Sequence, residues 1–158
     1  MTGTFFLLLF LWDVSSSGEY HVVKRAASCP SGWTQYGNRC FLYNRHQMTW
    51  AQAQRFCEFM NANLPCVHSN KEYQFIQHLI SRATHASGET WIGGSDGQEE
   101  NYWFCLDGTR FTYAEWCQGE PNNYDRNEHC VLVNYSERNC WNDGTCYTKL
   151  PFICVRTI

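Results

Sequence analysis

The chain has 158 residues, of which 16% are aromatic, and a formal net charge of -3. This length suits one domain with a single hydrophobic core, which the aromatic side chains can fill. The small negative charge, without a basic stripe, excludes the electrostatic footprint that a phosphate backbone requires, so we expect no nucleic-acid partner.

The N-terminal segment has the pattern of a secretory signal peptide. Residues 5–12 form a short apolar run, and residues 15–18 are small. No Lys or Arg precedes the run, which departs from the usual pattern. A membrane-spanning helix needs about 20 apolar residues. We therefore predict a cleaved signal peptide over residues 1–18, no membrane insertion and a secreted, extracellular protein.

A short basic segment precedes the first cysteine. Lys24 and Arg25 form a dibasic pair, which marks either the removal of a propeptide or a solvated linker. We assign residues 19–28 to this short propeptide or linker and residues 29–158 to one folded domain. The ten cysteines indicate an oxidising compartment and internal disulfides, because no close CxxC-type pair suggests zinc ligation.

The domain begins with a predicted hairpin and a first helix. Residues 29–40, CPSGWTQYGNRC, place Pro, Gly and Asn between two aromatic-flanked segments, which predicts the hairpin. Thr49, followed three residues later by Gln52, forms a capping box that opens a helix ending near Met60. The buried face of this helix is predicted to be Trp50, Ala53, Cys57 and Met60.

A brief strand and a second helix are predicted next. Residues 64–67 read as the strand, in spite of a proline. Ser69 and Glu72 form a second capping box. The core face of the second helix is predicted to be Ile76, Leu79, Ile80 and Ala83. We interpret the apolar faces of both helices as core.

After Gly88 the pattern changes to short strands separated by long polar loops. The predicted strands lie at residues 91–94, 102–105, 131–133 and 152–155. Two helices followed by short strands indicate an α+β domain rather than alternating βαβ units.

One polar stretch, residues 120–143, collects side chains that end in a carboxylate or amide oxygen. They are Glu120, Asn122, Glu128, Asn142 and Asp143. Such oxygens suit a hard cation such as calcium, which takes six to eight oxygen ligands. Acidic and amide residues are also common in solvated loops, so these residues alone leave both interpretations open.

Six motifs, in order, resemble those of the C-type lectin-like domain. They are CPSGWTQYGNRC at 29–40, MTWAQAQRFC at 48–57, WIGG at 91–94, EPN at 120–122, WND at 141–143 and FIC at 152–154. TYAEWC and NCWND also have counterparts in fish type II antifreeze proteins and their lectin relatives. The resemblance implies two helices, short antiparallel sheets and a long calcium-binding loop region in a disulfide-rich domain.

The resemblance also implies the disulfide pairing, which ten cysteines alone leave open, since even eight allow about 105 pairings. The implied family pairs are Cys29 with Cys40, Cys57 with Cys154, Cys130 with Cys146 and Cys117 with Cys140. Cys66 and Cys105 then remain as the fifth pair. Two of these bridges would hold the polar stretch from both sides.

In this family EPN, a following glutamate and WND form the principal calcium and sugar site. That site maps to Glu120, Asn122, Glu128, Asn142 and Asp143, and the peptide bond before Pro121 is typically cis. The order Glu, Pro, Asn resembles mannose-type lectins, whereas Gln, Pro, Asp is the galactose-type order. An auxiliary calcium site would use Asp96, Glu100 and Glu128, but His129 replaces an aspartate of the relatives and is a poor calcium ligand.

We therefore expect a secreted, calcium-dependent lectin of fish type that binds mannose-type glycans, with innate recognition as its role. The alternative on the same fold is a type II antifreeze protein that binds ice, and a protein-binding module without sugar affinity is a further possibility. No arrangement of catalytic residues is apparent, so we expect no enzyme. Asn134 begins an N-x-S acceptor for N-glycosylation. Useful avidity would need several sites, as a homo-oligomer supplies.

Overall fold

The structure is a computed structural model that describes residues 27–158. The predicted signal peptide and most of the predicted propeptide or linker lie outside the described residues. The helices and strands, in chain order, are β1 (Thr34–Tyr36), β2 (Arg39–Met48), α1 (Trp50–Phe59), α2 (Asn70–Thr84), β3 (Thr90–Ser95), β4 (Phe104–Cys105), β5 (Cys130–Tyr135), β6 (Cys140–Gly144) and β7 (Leu150–Thr157).

One sheet joins all of these strands in the order β1-β2-β7-β3-β5-β6, and β4 pairs with β3. The pairing of β3 with β7 is parallel, and every other pairing of named strands is antiparallel. The last strand, β7, therefore lies between β2 and β3 and closes the domain. The predicted α+β class, with two helices and a mostly antiparallel sheet, is confirmed.

The first helix begins as its sequence predicts. The Thr49 side chain accepts a hydrogen bond from the backbone N–H of Gln52, and the Gln52 side chain accepts one from the N–H of Thr49. The predicted core face is only partly buried, because Ala53 and Cys57 are buried whereas Trp50 and Met60 are half-buried. The Trp50 indole N–H donates to the Ile92 carbonyl (2.8 Å), which ties the helix start to β3.

The second predicted capping box is only half formed. The Ser69 hydroxyl oxygen accepts from the backbone N–H of Glu72 (3.1 Å), as expected. The Glu72 carboxylate instead contacts the Arg39 guanidinium, whose Nη1 also lies 3.3 Å from Asp107 Oδ2. Arg39 thus neutralises two carboxylates whose side chains are less than one-tenth exposed.

Arg39→Met is expected to lower the free energy of unfolding by about 3–5 kcal/mol, because it leaves two buried carboxylates without their cation. Chemical denaturation with the disulfides intact measures this change. Arg55→Met is the matched control: Arg55 and Glu58 form an exposed pair 3.6 Å apart, and its loss should cost less than about 1 kcal/mol. Equal losses in the two variants would contradict the assigned role of Arg39.

The predicted strand at residues 64–67 is wrong, although these residues are buried. The segment is irregular. Its backbone N–H and carbonyl groups form isolated hydrogen bonds instead of the regular pairing of a β-sheet. The Leu64 N–H donates to Gln54 Oε1 (2.9 Å), and the Pro65 carbonyl accepts from the Gly93 N–H (2.6 Å). A Cβ on Gly93 would lie 2.2 Å from the Leu64 carbonyl oxygen, so only glycine permits this close approach.

Five disulfides link the ten cysteines in the structure, and they join the same pairs as the resemblance implies, including Cys66 with Cys105. Cys57 and Cys154 connect α1 to β7 within the core. Within residues 27–158, no helix is long and apolar enough to cross a membrane.

Candidate metal site

Three acidic side chains converge on one point although they come from different segments. Glu120, Glu128 and Asp143 each offer a carboxylate oxygen, and these three oxygens lie within 4.8 Å of one another. Glu120 and Glu128 lie in the long loop before β5, whereas Asp143 lies on β6 and is fully buried. The convergence therefore depends on β6 packing beside the loop.

The placement of Asn142 and Asp143 on a strand was not predicted, since the sequence assigned them to the polar loop region. In the structure, Asp143 pairs with Val131 and Asn142 pairs with Leu132 across β5 and β6. Both residues are less than one-tenth exposed. The WND motif thus lies on a buried strand, β6, rather than in a loop.

Asp143 also positions the EPN segment. Its Oδ1 accepts from the Asn122 backbone N–H (3.2 Å), and its Oδ2 accepts from the Asn123 backbone N–H (2.8 Å). The peptide bond between Glu120 and Pro121 is cis, as the family resemblance implies. Asn122 therefore lies beside Asp143, at the start of a turn formed by Tyr124–Arg126.

The same turn positions Glu128. The Tyr124 N–H lies 3.1 Å from both Asn122 Oδ1 and Glu128 Oε2 and donates to them. The Glu128 N–H in turn donates to Asn123 Oδ1 (3.0 Å). Hydrogen bonds from backbone N–H groups to side-chain oxygens thus hold the loop in place before any ligand binds.

Two buried oxygens of the predicted ligand set have no hydrogen-bond donor among the described residues: Glu120 Oε2 and Asn142 Oδ1. Leaving a buried acceptor unpartnered costs about 1–3 kcal/mol. The Asn142 amide oxygen and the ionised Glu120 carboxylate are acceptors, and both belong to the predicted ligand set, so a cation would satisfy them where no N–H does. The residues present therefore fit a calcium ion.

Burial, with a smaller contribution from neighbouring carboxylates, raises the pKa of two acidic side chains at the site. Burial raises the pKa of Glu120 to about 7, and the neighbouring Asp143 carboxylate adds to that rise. Burial also raises the pKa of Glu128. A dication among these oxygens would offset both effects, because it favours the charged carboxylates.

The disulfides fix the two sides of the site. Cys117–Cys140 links the segment before Glu120 to the start of β6, and Cys130–Cys146 links the start of β5 to the residues after β6. Next to the Cys117–Cys140 disulfide, the Cys117 backbone N–H also donates to the Trp141 carbonyl (2.9 Å), which ties the same segment to β6.

A second acidic cluster differs from the predicted auxiliary calcium site. Asp96 and Glu100 group with His129, whereas Glu128 groups with Glu120 and Asp143. From the sequence, His129 was considered only as a poor calcium ligand at the auxiliary site. Nothing in its local sequence identifies its partners, because Asp96 lies 33 residues earlier in the chain.

The N-glycosylation acceptor at Asn134 lies in the interior. Asn134 is 3% exposed, its Oδ1 accepts from the Tyr73 hydroxyl (3.1 Å), and its Nδ2 donates to the Gly88 carbonyl (3.4 Å). A glycan on this acceptor would conflict with the folded structure, because the Asn134 side chain is buried and hydrogen-bonded.

Intact mass spectrometry of the folded, secreted protein is expected to find Asn134 unmodified, and Asn134→Gln should not change the mass beyond the substitution itself. Treatment with a glycosidase specific for N-linked glycans provides the control. A mass loss on that treatment, absent from Asn134→Gln, would contradict the buried position.

Comparison with known proteins agrees with the family resemblance found in the sequence motifs. The Lectin C-type domain family matches residues 46–156. The galactose-specific lectin nattectin of Thalassophryne nattereri is 36% identical over 154 residues, which cover 98% of this chain and 96% of the relative.

Two solved structures are similar over most of the chain. The herring type II antifreeze protein has a TM-score of 0.77 and 37% identity, covering 82% of this chain and 99% of that one. The Ca2+-free form of a Ca2+-dependent type II antifreeze protein has a TM-score of 0.77 and 33% identity, covering 82% of this chain and 100% of that one. The chain therefore belongs to the C-type lectin domain family, and it is a binding domain rather than an enzyme.

Proposed function

We propose that this protein is a secreted lectin that binds mannose-type sugars through calcium. The ligands for both the ion and the sugar would be Glu120, Asn122, Glu128, Asn142 and Asp143. The observation that carries the proposal is the convergence of three carboxylates, from Glu120, Glu128 and Asp143, within 4.8 Å of one another. Two oxygens of the proposed ligand set, Glu120 Oε2 and Asn142 Oδ1, are also buried without a hydrogen-bond partner among the described residues.

Bound calcium would supply coordination positions for two adjacent sugar hydroxyls, since it accepts more oxygens than these side chains provide. The protein side chains would then orient the sugar. A hydroxyl can donate to a carboxylate and accept from an amide N–H at the same time. Glu120 with Asn122, and Glu128 with Asn142, offer one carboxylate and one amide for each of two hydroxyls.

The order of the EPN segment favours mannose, and fucose or N-acetylglucosamine present hydroxyls of the same equatorial geometry. The competing assignment is galactose, the sugar in the name of the Thalassophryne relative. Glu120 and Asn122 are the residues on which this choice depends. Competition between mannose and galactose for the immobilised protein therefore tests the finer specificity directly.

A glycan array run with calcium and again with chelator tests the proposal as a whole. We expect retention of mannose-terminated glycans with calcium, and its loss on chelation with recovery when calcium is restored. Binding that is insensitive to chelator would contradict the mechanism. Calcium-independent binding to a protein partner would support a protein-binding module instead.

Ice binding is the second candidate, and similarity to the herring antifreeze protein favours it. Thermal hysteresis measured at saturating mannose separates the two functions. Hysteresis that persists there, with no retention on a mannose column in calcium, would establish ice binding in place of the lectin function.

A single calcium-bound sugar is a weak ligand, so we propose that the lectin acts as a homo-oligomer or on clustered glycans, where linked sites increase avidity. Light scattering after size exclusion measures the oligomeric state.

Secretion agrees with the pairing of all ten cysteines, since such a framework persists in oxidising compartments. Recognition of glycans in innate defence is the role that this combination fits.

A further inference from the structure

Asp96, Glu100 and His129 form a cluster that the calcium proposal does not use. Asp96 directly follows β3 and His129 directly precedes β5, so adjacent strands bring them together. Their backbones are also bonded: the Asp96 N–H donates to the His129 carbonyl (3.2 Å), and the His129 N–H donates to the Gly144 carbonyl (3.2 Å). The sheet therefore fixes two of the three side chains at their bases.

The three side chains point at a common centre. His129 Nδ1 lies 3.1 Å from Asp96 Oδ1 and 3.6 Å from Glu100 Oε2. One ligand atom from each residue lies within 4.8 Å of the others. In a tetrahedral site with bonds of about 2.0–2.1 Å, ligand atoms are roughly 3.4 Å apart. The two measured separations lie on either side of that value, so an ion could bind with side-chain adjustment alone.

The ligand types distinguish between metals. Calcium takes oxygen ligands, so an imidazole nitrogen counts against it. Zinc and other late transition metals bind imidazole and carboxylate together. One nitrogen and two carboxylates leave a fourth position for water, and the exposed fractions of the His129 and Glu100 side chains (32% and 42%) leave that position accessible to solvent.

Neighbouring groups orient the two carboxylates. Asp96 is 1% exposed, and its Oδ2 accepts from the Asn101 N–H (2.9 Å), which directs Oδ1 towards His129. Glu100 Oε2 accepts from Asn123 Nδ2 (2.9 Å). Hydrogen bonds of this kind, from outside a metal site, hold ligands in their binding orientation.

We propose that Asp96, Glu100 and His129 bind a transition-metal dication, with zinc preferred to calcium. His129 determines this preference, because the same cluster with a carboxylate in its place would offer calcium only oxygens. The site shares no ligand with the proposed calcium site, so each proposal can fail without the other.

Isothermal titration of the metal-free protein with zinc chloride, and separately with calcium chloride, tests the proposal. We expect one zinc site that His129→Ala weakens by about 100-fold or more and that Glu120→Gln leaves unchanged, since Glu120 lies in the other cluster. Cobalt titration provides a second readout, because four-coordinate cobalt absorbs visible light and should lose this absorption in His129→Ala.

His78→Ala is the matched control, since His78 is an exposed histidine on α2. His129→Asp is expected to reverse the preference from zinc to calcium at this cluster. That variant also keeps the test decisive if His129→Ala does not fold. Three results would overturn the proposal. The unmodified protein binds no zinc, zinc binding survives both substitutions at position 129, or zinc binding falls equally in His78→Ala.

Discussion

Glu128→Gln is expected to weaken calcium binding by on the order of 100-fold and to abolish retention on a mannose column at millimolar calcium, because affinity at such sites follows the number of charged ligands. The substitution removes one of the three carboxylates that converge within 4.8 Å. It keeps the side-chain oxygen that accepts from the Tyr124 N–H, so the turn should persist. Calcium titration and column retention measure the two effects.

Asp125→Asn is the matched control for this loss. Asp125 lies in the same loop, is exposed and does not belong to the carboxylate cluster. Its positive φ of 56° is one that Asn adopts readily, so the backbone should not change. Asp125→Asn should therefore keep wild-type binding, and a Glu128→Gln variant with unchanged calcium affinity would remove Glu128 from the ligand set.

Local signals in the sequence predicted the elements that local contacts stabilise. The capping box at Thr49 and Gln52 is an example, because both of its hydrogen bonds span three residues. The corresponding box at Ser69 formed only in part. Glu72 there contacts Arg39, 33 residues earlier in the chain, and a charge partner at that separation leaves no local pattern.

The candidate site, like the helices, was predicted from the sequence only in part. The family motifs indicated which residues carry the ligand oxygens, and the disulfide pairing followed from the same resemblance. The motifs did not reveal that Asn142 and Asp143 lie on a buried strand, because that depends on pairing between β5 and β6. Nor did they bring His129 to Asp96, since that contact depends on β3 and β5 lying side by side.

The double substitution Glu120→Gln with Asn122→Asp is expected to shift the sugar preference from mannose towards galactose, by about tenfold or more in relative affinity. It exchanges the carboxylate and the amide on either side of Pro121, so the charge of the pair is unchanged while the hydroxyl donors and acceptors it prefers are reversed. The turn should be retained, because an aspartate at position 122 can still accept from the Tyr124 N–H.

Competitive elution by mannose and galactose measures the ratio of affinities, and calcium titration shows whether the metal site remains intact. Glu120→Gln alone is the informative comparison. It removes one charge without restoring it nearby, so it should weaken calcium binding and retention for both sugars, whereas the double variant should regain calcium binding with the new preference. That recovery requires residues 120 and 122 to exchange their carboxylate and amide roles. If the double variant keeps calcium binding and still prefers mannose, residues other than these two determine the sugar preference.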